Sequence, residues 1–279
     1  ENNPNRSFVV DPPRPLRVLM SRFMSRAVSA SRIAKNRAKA ETERKTKRQP
    51  HRVDYFHQLN DPYSHLVAQV VADFASRYDI EIVPHLVRAS GGRNQPEEEK
   101  LAIWARTDCG LIAPHYGLSF PENAGRVPES ELQKVAGQVL AGLTAQEFLV
   151  RIKDISTALW SGDPSGHLSS SELNAKPQEL ETALDEGSAL LADMNHYSGG
   201  TFYYGGEWYW GVDRLFHLEQ RLRDLDACRT PTEPYLVPRP SHDLSGVDAS
   251  GLRLEFFPSL NSPYTSIIYD RTIEMSNTC

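Results

Sequence analysis

The chain has 279 residues, room for one or two domains, and its 24% charged and 39% hydrophobic residues are ordinary for a globular protein. No apolar run approaches the roughly 18 residues needed to cross a bilayer, so no transmembrane segment is expected. Cys109, Cys228 and Cys279 lie far apart with no CxxC pair. That speaks against a disulfide framework, a zinc ribbon or a dithiol centre, and fits a reducing, cytoplasmic setting.

The net charge of −5 is unevenly spread. Residues 14 to 52 hold thirteen Lys and Arg against Glu41 and Glu43, which leaves the rest of the chain strongly acidic. Leu16, Leu19, Phe23 and Ala27 recur at helical spacing, and the polar run Lys35 to Arg48 follows. Residues 1–52 therefore read as a basic helical extension that packs on its own acidic body and ends in a solvated stretch. The run from Lys35 to Arg48 has no aromatic residue on which bases could stack, so no specific nucleic-acid partner is expected.

Val53 to Leu59 predicts a strand. Asp61 is a good N-cap and Pro62 suits the first helical turn, after which Leu66, Val70 and Phe74 keep helical spacing. Ile80 to Val87 predicts a second strand, placed at a sheet edge by Pro84. A loop from Ala89 to Gln95 leads to a helix over Pro96 to Asp108, with Leu101, Trp104 and Ala105 on one side. This βαβα order implies parallel strands joined by a right-handed crossover. Residues 128–196 read as a helical insert, broken at Gly162-Asp163-Pro164-Ser165-Gly166. The period then changes from 3.6 to 2. Thr201-Phe202-Tyr203-Tyr204 and Glu207-Trp208-Tyr209-Trp210 flank Gly205-Gly206, a strong hairpin signal. Val212 to Leu225 closes the domain as an amphipathic helix, and residues 228–251 read as a linker rich in Pro, Ser and Asp.

One segment occurs twice. Tyr55-Phe56-His57-Gln58-Leu59-Asn60-Asp61-Pro62-Tyr63-Ser64 returns 201 positions later as Phe256-Phe257-Pro258-Ser259-Leu260-Asn261-Ser262-Pro263-Tyr264-Thr265. So long a period is not a solenoid unit; it marks a copied domain. The expected organisation is a complete domain over 53–227 and the truncated start of a second over 252–279.

The element order, the opening Asp61-Pro62-Tyr63-Ser64 and the closing Trp210-Gly211-Val212-Asp213-Arg214-Leu215 resemble the DsbA-like branch of the thioredoxin fold. Within that branch the chain is similar to 2-hydroxychromene-2-carboxylate isomerases and kappa-class glutathione transferases. The resemblance covers residues 53 to 226 and resumes at 253; tandem copies of this kind occur in bacterial DsbA-family proteins. It implies an α/β thioredoxin-like fold with a helical insertion. It also implies a glutathione-linked isomerase or transferase acting on a small molecule, with pairing to a second copy of the domain, within the chain or in a dimer. The rival reading is a non-catalytic binding or scaffold module with a degenerate site.

In this branch the reactive residue sits at the N-terminus of the first helix, where free N–H groups and the helix dipole stabilise an anion. A Cys there becomes a reactive thiolate; in the isomerases and kappa transferases a Ser donates to the thiolate of glutathione. Here that position is Asp61, with Ser64 at the second redox position, so no sulfur is available for disulfide exchange. A carboxylate at a helix N-terminus should stay ionised and repel a thiolate. The second copy keeps the family's residue as Ser262. The resemblance places Tyr63, Thr201, Asp213 and Arg214 where glutathione would be held, and Gly200 where thioredoxin folds usually carry a cis-proline. Asp61 and His65 are i,i+4 neighbours, read as a helix-terminal ion pair or an acid/base unit. With His57 they lack a third ligand at a suitable spacing, so no metal is expected.

Overall fold

The computed structural model describes residues 14–27, 29–89, 97–121, 127–162, 173–241, 251–258 and 263–278, with the single positions 168, 246 and 248. The chain divides into two compact units, Asn36–Pro240 and a smaller one of Glu1–Lys35 with Ser241–Cys279.

The larger unit is built on four strands, β1 (Arg52–Gln58), β2 (Glu81–Val87), β3 (Thr201–Tyr204) and β4 (Glu207–Trp210), in the order β2-β1-β3-β4. β1 and β2 run parallel, with Tyr55 opposite Pro84. β3 is antiparallel to β1, pairing Phe202 with Tyr55, and to β4, pairing Phe202 with Tyr209. Pro84 thus sits on an edge strand, where its missing N–H costs no ladder bond.

Between β1 and β2 run α3 (Pro62–Ala68) and α4 (Val71–Arg77). The sequence reads this stretch as one helix. It breaks because the Gln69 and Val70 N–H groups bond three residues back, to Leu66 and Val67, tightening the turn. Gln69 is meanwhile held from outside, its amide donating to the Ser119 carbonyl at 2.8 Å and accepting from the Ser119 N–H at 3.1 Å.

α5 (Glu98–Ile112) runs on into a 3-10 turn over Ala113–Tyr116. The insert forms α6 (Ser130–Ala141), α7 (Ala145–Ser161) and α8 (Pro177–Asp193). Thr144 and Glu147 close a capping box on α7, and Gly162 ends it at φ 71°. The expected loop from Ala89 to Gln95, apart from Ala89, and most of the break after Gly162 lie outside the described residues. α9 (Val212–Arg223) completes the fold.

Strand alternation sends Val53 and Tyr55 to the main core with Phe74, Tyr78, Ile152, Phe202, Leu215 and Leu218, all fully buried. Phe56 faces the other way, onto Val87 and Leu191 of α8. α8 presses so closely on β2 that a Cβ on Gly187 would stand 2.1 Å from the Leu86 carbonyl oxygen.

The expected linker is divided. Its first part belongs to the domain, because Glu219, fully buried on α9, accepts from the Leu236 N–H at 2.8 Å and the Val237 N–H at 3.0 Å. Arg223 also donates to the carbonyls of Pro231, Glu233 and Pro234. A carboxylate with such donors anchors the chain through Pro240, well beyond the boundary at 227 that composition suggested.

α2 (Ala30–Thr46) joins the body in its second half, where Arg37 grips Glu207 through two bonds of 2.8 and 2.7 Å. In the smaller unit, α1 (Arg14–Ala27) keeps Leu19 and Phe23 exposed. That unit also holds extended residues Leu252 to Pro258 and α10 (Pro263–Thr278), with Phe256 and Tyr269 rings 5.9 Å apart. Among the described residues no helix is long and apolar enough to cross a membrane.

Candidate functional site

The site forms where α3 meets the start of β3. Asp61 caps α3 with an extended backbone, φ −97° and ψ 120°. One of its carboxylate oxygens, Oδ2, accepts both the Ser64 N–H and the Ser64 hydroxyl, each at 2.7 Å. The Ser64 oxygen in turn accepts from the Gln58 N–H at 3.2 Å, tying the helix start to the end of β1. Burial raises the Asp61 pKa above the ordinary carboxylate value, against the Ser64 and Tyr63 hydrogen bonds, which lower it. Desolvation and the cap thus act in opposite directions on this carboxylate.

Gly200 packs against the start of α3. Its φ is +61°, a left-handed conformation that glycine adopts without strain. A Cβ there would lie 2.9 Å from the Ser64 nitrogen and 3.2 Å from Asp61 Oδ2. The glycine thus stands in close contact with the helix terminus, and no cis peptide occurs among the described residues.

The His65 expectation fails. His65 is buried and its Nδ1 bonds the Ser156 hydroxyl of α7 at 2.9 Å, so it makes no pair with Asp61. The i,i+4 rule places side chains on one helix face, but Asp61 lies outside the helix, turned back onto Ser64. Burial lowers the His65 pKa to about 4, which leaves the ring neutral and unsuited to an ion pair. His57 is also buried; its Nδ1 bonds the Tyr55 hydroxyl at 2.8 Å and its pKa falls to about 3.

Tyr63 stands beside the cap. Its hydroxyl donates to Asp108 Oδ2 at 2.7 Å, and its ring meets Trp210 edge-on at 5.3 Å. Burial, followed by the Asp108 bond, raises its pKa. Beneath it, the Cys109 thiol is pushed up by burial and then by Asp61, Asp108 and Asp213.

A cleft of about 540 Å³ opens over these groups. Asp61, Tyr63, Trp104, Arg106, Tyr197 and Trp210 are among its lining residues. Of the residues expected from the sequence, Asp61 and Tyr63 reach the cleft, whereas His65, Thr201, Asp213 and Arg214 do not line it. Thr201 is fully buried and its hydroxyl donates to the Tyr209 carbonyl at 3.2 Å. Asp213 pairs with its neighbour Arg214 at 2.9 Å. Ser262 lies outside the described residues. Sequence reasoning missed Asp108, Arg106 and Cys109, because α5 has no motif; only its shared face with Trp104 hinted at a wall. Among the described residues no three His, Cys, Asp or Glu side chains gather as a metal site would require.

No family model and no curated protein matches the sequence. Several solved structures are similar, two of them as follows. One is a 2-hydroxychromene-2-carboxylate isomerase, 20% identical, with a TM-score of 0.45, covering 63% of this chain and 96% of that one. The other is a probable DsbA oxidoreductase from Streptomyces coelicolor, 14% identical, with a TM-score of 0.42, covering 66% of this chain and 93% of that one. The strand order β2-β1-β3-β4 and the helices inserted before the hairpin make this a thioredoxin-like α/β fold with a helical insertion, in which a carboxylate stands at the helix terminus.

Proposed function

We propose that the larger unit is a ligand-binding thioredoxin-fold module without thiol chemistry of its own. The observation that carries this reading is the closed cap: Asp61 Oδ2 already takes the Ser64 N–H and hydroxyl, both at 2.7 Å. An incoming thiolate finds those donors spent and a carboxylate in its place. It also meets the field of Asp108 and Asp213, and like charges within a few ångströms disfavour one another. What remains is a concave, largely apolar cleft of a size that suits a small ligand.

Two assays test this on the full chain. Insulin reduction should not exceed a thiol-free control, and glutathione should not protect Trp104 or Trp210 from fluorescence quenching. Catalysed reduction, or saturable glutathione protection lost in Asp61→Ala, would overturn the reading.

A second reading has one observation in its favour. α10 begins at Pro263, directly after Ser262, as α3 begins at Pro62 after Asp61. The copied segment thus keeps the helix start as well as the sequence. In this reading a glutathione-linked isomerase or transferase works through Ser262. Glutathione binding abolished by Ser262→Ala and untouched by Asp61→Asn would support it.

A further inference from the structure

The cleft is lined by aromatic rings and by the carboxylates of Asp61 and Glu98. Trp104 of α5 is 61% exposed and Trp210 of β4 is 46% exposed, yet both line the same cavity with Tyr63 and Tyr197. Large aromatic side chains left open in a concavity offer their electron-rich faces to a guest. Tyr63 is held edge-on to Trp210 and fixed by its bond to Asp108, so this corner is already organised before any ligand arrives.

The charge at this corner has one sign. Asp61 lines the cleft; Asp108 lies directly behind Tyr63; and the charges that act on the neighbouring Cys109 are Asp61, Asp108 and Asp213, all carboxylates. Asp61 is the group of these that borders the cavity, and its second oxygen, Oδ1, is not used by Ser64. Among the described residues no Lys, Arg or His forms an ion pair with Asp61, whose partners are Ser64 and the Tyr63 backbone. Leu101, Ala102, Ala105, Val127 and Pro62 supply apolar wall, beside the polar Gln58, Asn60, Glu98 and Ser198. Arg106 also lines the cleft, and it makes the opposite sign of ligand the necessary control.

We propose that the cleft binds a small organic cation, an aryl-alkyl ammonium or quaternary ammonium compound, whose charged head sits between Asp61 and the rings of Tyr63 and Trp210. The faces of tyrosine and tryptophan rings attract cations, and more strongly where water is excluded. The Asp61 carboxylate, half-buried at the cleft wall, adds a charge-assisted contact. Aromatic substituents on the ligand would lie along Trp104.

This inference rests on the ligand-binding reading above, and the experiment separates the two. Benzyltrimethylammonium, benzyl alcohol and phenylacetate are titrated into the full chain and followed by tryptophan fluorescence and calorimetry. The cation is expected to bind about tenfold more tightly than either analogue. Asp61→Asn keeps a capping side chain but removes the charge, so its melting temperature should hold while cation affinity falls about tenfold. Trp104→Ala, at an exposed position, should weaken the cation and benzyl alcohol together. Phenylacetate binding more tightly than the cation, or Asp61→Asn leaving cation affinity unchanged, overturns the proposal and leaves the ligand-binding reading standing. Failure of all three compounds to bind at millimolar concentration overturns both.

Discussion

A Cβ on Gly200 would stand 2.9 Å from the backbone nitrogen of Ser64, so the start of β3 and the start of α3 touch through a residue with no side chain. That contact sets the shape of the candidate site. It holds the Asp61 cap against the hairpin and depends on a backbone angle, φ +61°, that other residues reach only at a cost.

Gly200→Ala is therefore expected to destabilise the larger unit by about 2 kcal/mol, from left-handed strain and from displaced backbone at Ser64. Gly206 has φ +89° but open space around it, so Gly206→Ala reports strain without the contact. Urea denaturation of the two variants gives the difference. Equal losses would show that the Ser64 contact contributes nothing.

The Asp61 variants separate cap from charge. Asp61→Ala leaves the Ser64 N–H and hydroxyl without their acceptor and should cost about 1–2 kcal/mol. Asp61→Asn preserves an acceptor oxygen. The folded pKa of Asp61 is raised, so the folded state holds its proton to higher pH than the unfolded chain. That contribution is stabilising at low pH and is lost as pH rises through the folded value. Asp61→Asn should accordingly match or exceed the native protein at pH 7, with the advantage shrinking on acidification. Stability curves against pH for the pair check the sign.

The buried histidines act in the opposite sense. His57 and His65, with folded values near 3 and 4, stay neutral where the unfolded chain takes up protons. Stability is complete above about pH 6.5 and falls as pH drops toward those folded values. Between pH 6.5 and 5 the loss should approach about 2 kcal/mol for each histidine. Denaturation at both pH values, repeated with His65→Gln, should show a shallower slope in the variant. An unchanged slope would mean that His65 is protonated or exposed in the folded protein.

Cys109 and Cys228 give a chemical readout of the same electrostatics. Cys109 is fully buried and its thiol pKa is pushed up by burial and three carboxylates, whereas Cys228 is half-buried. Iodoacetamide at pH 8 should label Cys228 first, with Cys109 reacting only on unfolding. Peptide mass spectrometry over a time course decides it. Early labelling at Cys109 would mean that the core around α5 opens in solution.

Much of the architecture was written locally. The two-residue Gly205-Gly206 turn, the change of period at Thr201, Pro84 on an edge and Asp61-Pro62 at a helix start all act within a few residues, and the four strands fall where those signals put them. The absence of sulfur at positions 61 and 64 is equally a property of the sequence alone. What the tertiary structure decided is which groups meet. Sequence spacing offered His65 as the partner of Asp61; packing of α3 on α7 took the imidazole to Ser156 and left the carboxylate to Ser64. Composition made residues 228–251 a linker, yet the buried Glu219 needs donors and finds them in Leu236 and Val237. The aromatic, anionic cleft is assembled from β1, α3, α5 and β4, elements far apart in the chain. Periodicity reports which face of an element is apolar, but hydrogen-bond partners and cavities are settled only when those faces compete for the same space and donors.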